Sequence, residues 1–299
     1  MHEHALLSGC QHSQGRIKML SQQTSIGTKW LATGTVALLA CAGSAQAAVT
    51  TFAQSALQPT SVLYTDIIGG GIGDVVVMTG GGNANGAGNP SGRNDDGFSG
   101  PINFGFDFTF FGTTYSSFYA NNNGNISFGG GNSAYIPSGP IGASIPTISA
   151  WFGDVDTRNL DSGVLHLRQD ENQTILTWLN VGYFGAKGDK LNTFQMIVRG
   201  NDYAIPEGEG AIGFFWLAMP WEVTDTSTTA AVGFGDGGEN AVVLEGSNAP
   251  GLNTVVAFKK TWFTTDLTPV GPNPVPEPGT LALLGLGLAG LLAGRRKLS

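Results

Sequence analysis

The sequence predicts an all-β protein: an antiparallel β-sandwich flanked by an N-terminal signal helix and a short C-terminal transmembrane helix. Three observations predict this. Between residues 48 and 278, apolar residues recur at alternate positions and no window keeps a helical period. The alternating runs are short and separated by Gly-, Asn- and Pro-rich turns, the pattern of a sandwich or barrel. Both ends carry apolar runs beside basic residues, the layout of processing signals.

Composition narrows the function classes. Of 299 residues, 12% are charged and 41% hydrophobic, and the formal net charge is −8. Low charge and high apolar content exclude a disordered chain. The acidic balance excludes a nucleic-acid partner, since phosphate backbones require a basic face. Residues 48–278 hold eight basic and 21 acidic residues, a formal charge of −13. Cys10 and Cys41 both precede residue 48, so the central region has no disulfide and no thiolate ligand. Its 231 residues are enough to fold on core packing alone.

Residues 1–47 read as a secretory leader. Arg16, Lys18 and Lys29 form the basic region, and Trp30 to Ala42 the apolar one. Ala45-Gln46-Ala47 is a small-x-small site, which places signal-peptidase cleavage between Ala47 and Ala48. Initiation at Met19 would give a 29-residue leader of ordinary length. Leu38-Leu39-Ala40-Cys41 offers a rival reading as a lipobox, with Leu39 atypical there.

Residues 48–62 form an N-terminal segment ahead of the sandwich, which spans 63–258. Residues 79–101 lack periodicity, are rich in Gly, and read as a long surface loop. Ile102, Phe104, Phe106, Phe108 and Phe110 alternate with Asn103, Gly105, Asp107 and Thr109, giving a strand with one apolar face. Asn121-Asn122-Asn123-Gly124 is a turn, because Asn and Gly tolerate positive φ. A strand follows at 125–128. Runs 164–168 and 174–184 flank the polar turn Asp170 to Gln173 as a hairpin. Further strands are expected at 192–199, 211–217, 230–235, 241–244 and 254–258. Residues 259–274 read as a linker.

The end of the chain is patterned in a fixed order. Pro272 to Pro278 is a stiff, extended stretch. Gly279 to Gly294 is an uncharged apolar run, about 24 Å long as a helix and marginal for a bilayer core of about 30 Å. Arg295, Arg296 and Lys297 then form a basic stop that stays cytoplasmic and leaves the sandwich outside. Val275-Pro276-Glu277-Pro278, the apolar helix and the basic cluster together resemble the PEP-CTERM sorting signal of Gram-negative bacteria, over residues 275–299. The resemblance implies an exosortase that removes the tail, transient anchoring in the inner membrane, and a host that makes an exopolysaccharide matrix.

A second resemblance lies in the sandwich. The series Phe110-Phe111-Gly112 with Tyr115, Asn121-Asn122-Asn123-Gly124-Asn125-Ile126-Ser127-Phe128, Trp151-Phe152-Gly153-Asp154-Val155-Asp156-Thr157-Arg158 and Asn192-Thr193-Phe194-Gln195 looks like the nidogen-like (NIDO) extracellular domain. This implies an extracellular module linked with cell–matrix adhesion, and it brings no catalytic residue. Animal relatives flank the domain with Cys-rich modules that are missing here, so their partners do not carry over.

Candidate sites are few. Asp154 and Asp156, two apart, share a face if extended and form a candidate calcium site, with Asp161 nearby and Asp95 and Asp96 approaching from the loop. An EF-hand is excluded because Arg158 and Asn159 stand where its ligand and glycine belong. The competing reading has both aspartates capping turns and pairing with Arg158. Gly285 to Gly290 and Gly129 to Ala134 match dinucleotide fingerprints only formally, the first in the tail and the second before Pro137 and Pro140. His166 has no nucleophile motif to serve. Among the tryptophans, Trp216 reads as core and Trp221, beside Pro220, as the better surface candidate for stacking on sugar rings.

The expectation is a secreted, non-enzymatic matrix or cell-surface module with no cofactor. Its partners are signal peptidase, exosortase, and an extracellular polysaccharide or surface protein, in adhesion or biofilm association. Two alternatives stay open: a polysaccharide hydrolase with paired carboxylates, and a calcium-stabilised scaffold.

Overall fold

The computed structural model describes residues 48–82, 86–137, 144–223 and 229–271. The leader and the sorting tail, with their expected helices, lie outside the described residues. Among the described residues, no helix is long and apolar enough to cross a membrane.

The chain opens with β1 (Val49–Phe52) and β2 (Gln58–Pro59), then α1 (Tyr64–Ile68), β3 (Asp74–Val75), β4 (Gly80–Gly81) and β5 (Gly97–Phe98). The long hairpin β6 (Ile102–Phe110) and β7 (Thr113–Asn121) leads to β8 (Asn125–Ser127) and β9 (Pro146–Phe152). Then come β10 (Leu165–Asp170), β11 (Gln173–Tyr183), β12 (Lys187–Arg199) and β13 (Ile212–Trp216). The last elements are β14 (Ala231–Asp236), β15 (Ala241–Leu244), α2 (Leu252–Val256) and β16 (Lys259–Phe263).

Two sheets form the sandwich. One runs β1-β15-β14-β9-β8-β7-β5-β4, with β6 also on β7; the other runs β2-β16-β13-β12-β11-β10-β3. The pairings are antiparallel except β1 with β15, where Val49 faces Ala241 in parallel. Residues 48–62, read as a segment ahead of the sandwich, supply β1 and β2. Residues 259–263, read as the start of a linker, form β16 between β2 and β13.

The predicted phenylalanine face is the core face. Phe104, Phe108 and Phe110 of β6 are buried, and Asn103, Gly105 and Asp107 are exposed. Fully burying such a side chain stabilises by about 1.5–3 kcal/mol. The sheets meet through aromatic rings: Phe214 of β13 lies 5.5 Å from Phe234 of β14, and Phe234 lies 4.8 Å from Phe263 of β16. Trp216 Nε1 crosses the interface to donate to the Ala150 carbonyl at 2.8 Å. Trp178 and Trp221 likewise donate to carbonyls, of Asn122 and Val181, which offsets the cost of burying their N–H groups.

Two expectations are corrected. The strand expected at 254–258 is helix α2, displaced by a contact that sequence does not show. The Glu222 carboxylate accepts from the N–H groups of Gly251 (2.7 Å) and Asn253 (2.9 Å), satisfying the free donors of the helix start. Trp221 is not a surface residue. It is 3% exposed, and its Nε1 donates to the Val181 carbonyl at 3.0 Å. Trp151, Trp178, Trp216 and Trp262 are buried as well.

Candidate functional site: a pocket of buried carboxylates

The turn that joins β7 to β8 organises the site. Asn122 and Asn123 clamp the backbone of Val155 from both sides: Asn122 Nδ2 donates to its carbonyl, and its N–H donates to Asn123 Oδ1 at 2.9 Å. Trp178 Nε1 holds the Asn122 carbonyl at 3.0 Å. These bonds fix the residues on either side of Val155, which are Asp154 and Asp156.

The stretch expected to be a surface loop supplies the opposite wall. Residues 83–85 lie outside the described residues, but Asn94, Asp95, Gly97 and Ser99 are buried. Arg93 anchors the stretch by donating to the carbonyls of Thr157 (2.7 Å), Ser162 (2.7 Å) and Leu160 (3.2 Å). Gly97 has no room for a side chain, since a Cβ there would sit 2.7 Å from Asn94. Asp95 bridges antiparallel to Asp156. Asp96 takes a positive φ of 61°, a conformation that Asp tolerates.

Carboxyl oxygens of Asp95, Asp96 and Asp154 come within 4.8 Å of one another. Asp156 faces another set of partners. Its oxygens accept from the Arg158 N–H (3.0 Å), Arg158 Nε (2.9 Å) and Ala186 N–H (2.6 Å). Arg158 Nη2 also reaches Asp95 Oδ2 at 2.8 Å. The turn-and-pair reading therefore describes Asp156, whereas Asp154 stands with the loop aspartates. Asp161 accepts no part in this cluster; its N–H bonds to Asn159 Oδ1 at 2.8 Å.

The electrostatics follow from burial. Asp154 is 1% exposed and neither of its carboxylate oxygens has a hydrogen-bond partner. Asp95 Oδ1 is likewise buried and unpartnered. Desolvation, then repulsion from Asp96, Asp95 and Asp156, pushes Asp154 up to about 7. Desolvation, then Asp156 and Asp96, pushes Asp95 up to about 7, opposed by Arg158. Asp96 is also raised by burial, with the Asn123 amide, which donates to Oδ1 at 2.7 Å, pulling the other way. His166 lies away from this pocket, with Nδ1 3.3 Å from the Gly73 carbonyl.

Fold and site together define a two-sheet β-sandwich module, free of cysteine from residue 48 onward, whose loops gather buried carboxylates at one place. The NIDO related family model matches residues 77–270, more than half of the chain, and the chain belongs to that family. A PEP-CTERM protein-sorting motif matches residues 274–297. The chain is 29% identical to Nidogen of Drosophila melanogaster over 140 residues, covering 36% of this chain and 10% of that protein. It thus spans about a tenth of that relative's length. No solved structure matches the chain. The sorting motif makes this a secreted, surface-directed protein of the exosortase-sorted class.

Proposed function

We propose that the sandwich is a non-catalytic binding module of the bacterial extracellular matrix, retained on exopolysaccharide in adhesion or biofilm association. The observation that carries this reading is the union, in one chain, of a NIDO-related sandwich with a PEP-CTERM motif directly after it. In this reading signal peptidase cleaves between Ala47 and Ala48. The helix at 279–294, stopped by Arg295, Arg296 and Lys297, holds the chain briefly in the inner membrane. Exosortase then recognises Val275-Pro276-Glu277-Pro278 and removes the tail.

A hydrolase reading receives less support. Asp154 and Asp156 are buried, so a polysaccharide chain has no access to either. Two cavities lie elsewhere: one of about 480 Å³ lined by Val75, Val77, Pro101, Ile102 and Leu167, with Asp74 at its edge, and one of about 500 Å³ lined by Thr109, Phe111, Asn201 and Val242. Sugar stacking by tryptophan is closed, since all five in the sandwich are buried. Among the described residues, the exposed aromatic side chains are Tyr135 and Phe258, 42% and 54% exposed.

The test is co-sedimentation of the protein recovered from its producing culture with that culture's exopolysaccharide. Retention in the polysaccharide pellet is expected, with no release of reducing sugar. Protein that stays in the supernatant would move the assignment to a protein partner.

A further inference from the structure

We propose that Asp95, Asp96 and Asp154 are the protein ligands of a calcium ion, while Asp156 with Arg158 forms the wall behind it. This goes beyond the matrix-binding reading and does not depend on it.

Three independent features point to a cation. The first is geometric. One oxygen from each residue lies within 4.8 Å of the others. Oxygens bound to calcium at about 2.3–2.6 Å sit up to about 5 Å apart across the ion. The second is unmet bonding. Both Asp154 oxygens and Asp95 Oδ1 are buried without a donor, because the neighbouring Val155 and Arg158 N–H groups are committed to Asn123 and Asp156. A buried carboxylate that no donor serves is costly unless its charge is met. The third is charge. Four aspartates face one Arg158, and that guanidinium is already spent on Asp156 and Asp95 Oδ2. With all four ionised, the net −3 is reduced to −1 by a divalent ion.

The donor chemistry selects the kind of ion. All three ligands are carboxylates, and residues 48–278 hold no cysteine and a single histidine, His166. Hard oxygen donors without imidazole or thiolate suit calcium or magnesium rather than zinc or copper. Three carboxylates from two separate loops make an irregular set. Calcium accepts such a set with water in the remaining positions, whereas magnesium demands near-octahedral order. The ion would tie the 94–97 segment to the turn after β9, two stretches otherwise joined through Arg93, Arg158 and the Asn94–Thr157 contacts.

The experiment is calcium titration of the full chain, purified in mild detergent and stripped with chelator, followed by calorimetry and thermal melting. One calcium per chain is expected, with half-saturation at about 10⁻⁴–10⁻³ M, the range of extracellular modules. At about 100 times that constant the melting temperature rises by roughly 5–10 °C. Asp154→Asn weakens binding by at least about tenfold. Asp96→Asn does the same and keeps the fold, because Asn also tolerates positive φ. Magnesium at equal concentration gives a smaller rise. The proposal is overturned if calcium leaves the wild-type melting temperature unmoved at 10 mM-scale excess (about ten times the weakest expected constant). An equal calcium shift in wild type, Asp154→Asn and Asp96→Asn would overturn it too.

Discussion

Arg199→Ala is expected to lower the stability of the sandwich by about 3–5 kcal/mol, the cost of stripping one partner from a buried charged network. Arg199 closes β12 and is 1% exposed. Its Nε donates to Gln173 Oε1 at 2.9 Å, Nη1 to the Gly210 carbonyl at 2.8 Å, and Nη2 to the Tyr64 hydroxyl at 2.7 Å and to Glu209. The guanidinium lies over the rings of Trp262 (4.3 Å) and Tyr203 (4.5 Å). Alanine leaves Gln173 Oε1 and the Gly210 carbonyl without this donor, leaves Glu209 with only the Tyr64 hydroxyl, and opens a cavity between aromatic rings. Arg199→Lys is expected to recover little, since an ammonium cannot serve a fork of acceptors and stack flat at once. Arg199→Met combined with Glu209→Gln recovers part of the loss by removing the stranded charge. Urea unfolding midpoints measure all three. A loss below about 1 kcal/mol in Arg199→Ala would mean the network contributes no more than one ordinary hydrogen bond.

Gly124→Ala is expected to cost roughly 4 kcal/mol or more, at the upper end of single substitutions. Gly124 has φ +77°, and a Cβ there would lie 1.8 Å from the Trp151 carbonyl oxygen. Backbone cannot swing aside as a flexible side chain does. The turn would have to lift off β9, and with it the Asn122 and Asn123 clamps on Val155. Gly112→Ala supplies the control. Gly112 has the same φ of +77° with no atom within 4 Å of its Cβ position, so only the conformational penalty of about 1–2 kcal/mol applies. The difference between the two unfolding free energies isolates the steric term. Equal losses would show that the close approach to Trp151 is relieved by movement of the turn.

Much of this architecture was legible because it is local. The alternation from Ile102 to Phe110 marks β6 and its buried face, and Asn121 to Gly124 marks the tight turn through residues that accept positive φ. The hairpin around Asn172, with φ +56°, is legible for the same reason. What escaped reading depends on partners distant in sequence. Thr254-Val255-Val256 looks like strand, and becomes helix because Glu222 caps it from 29 residues away. Trp221 beside Pro220 looks like loop surface, and is buried under the Val181 carbonyl 40 residues away. The importance of Arg199 rests on residues 64, 173, 209 and 210.

The site divides in the same way. The Asp-Val-Asp spacing singles out Asp154 and Asp156, and the loop aspartates were visible as neighbours. Which carboxylates share a pocket is settled in three dimensions. Arg158 and the Ala186 N–H occupy Asp156, and Arg93 brings Asp95 and Asp96 in to Asp154.

The most direct test of a sorted surface module is the intact mass of the protein recovered from the extracellular matrix of a producing culture. The account predicts a chain that begins at Ala48 and lacks the apolar 279–294 segment and the Arg295-Arg296-Lys297 stop. A matrix-associated protein that still carries this tail, or a chain found only inside the cell, would contradict it.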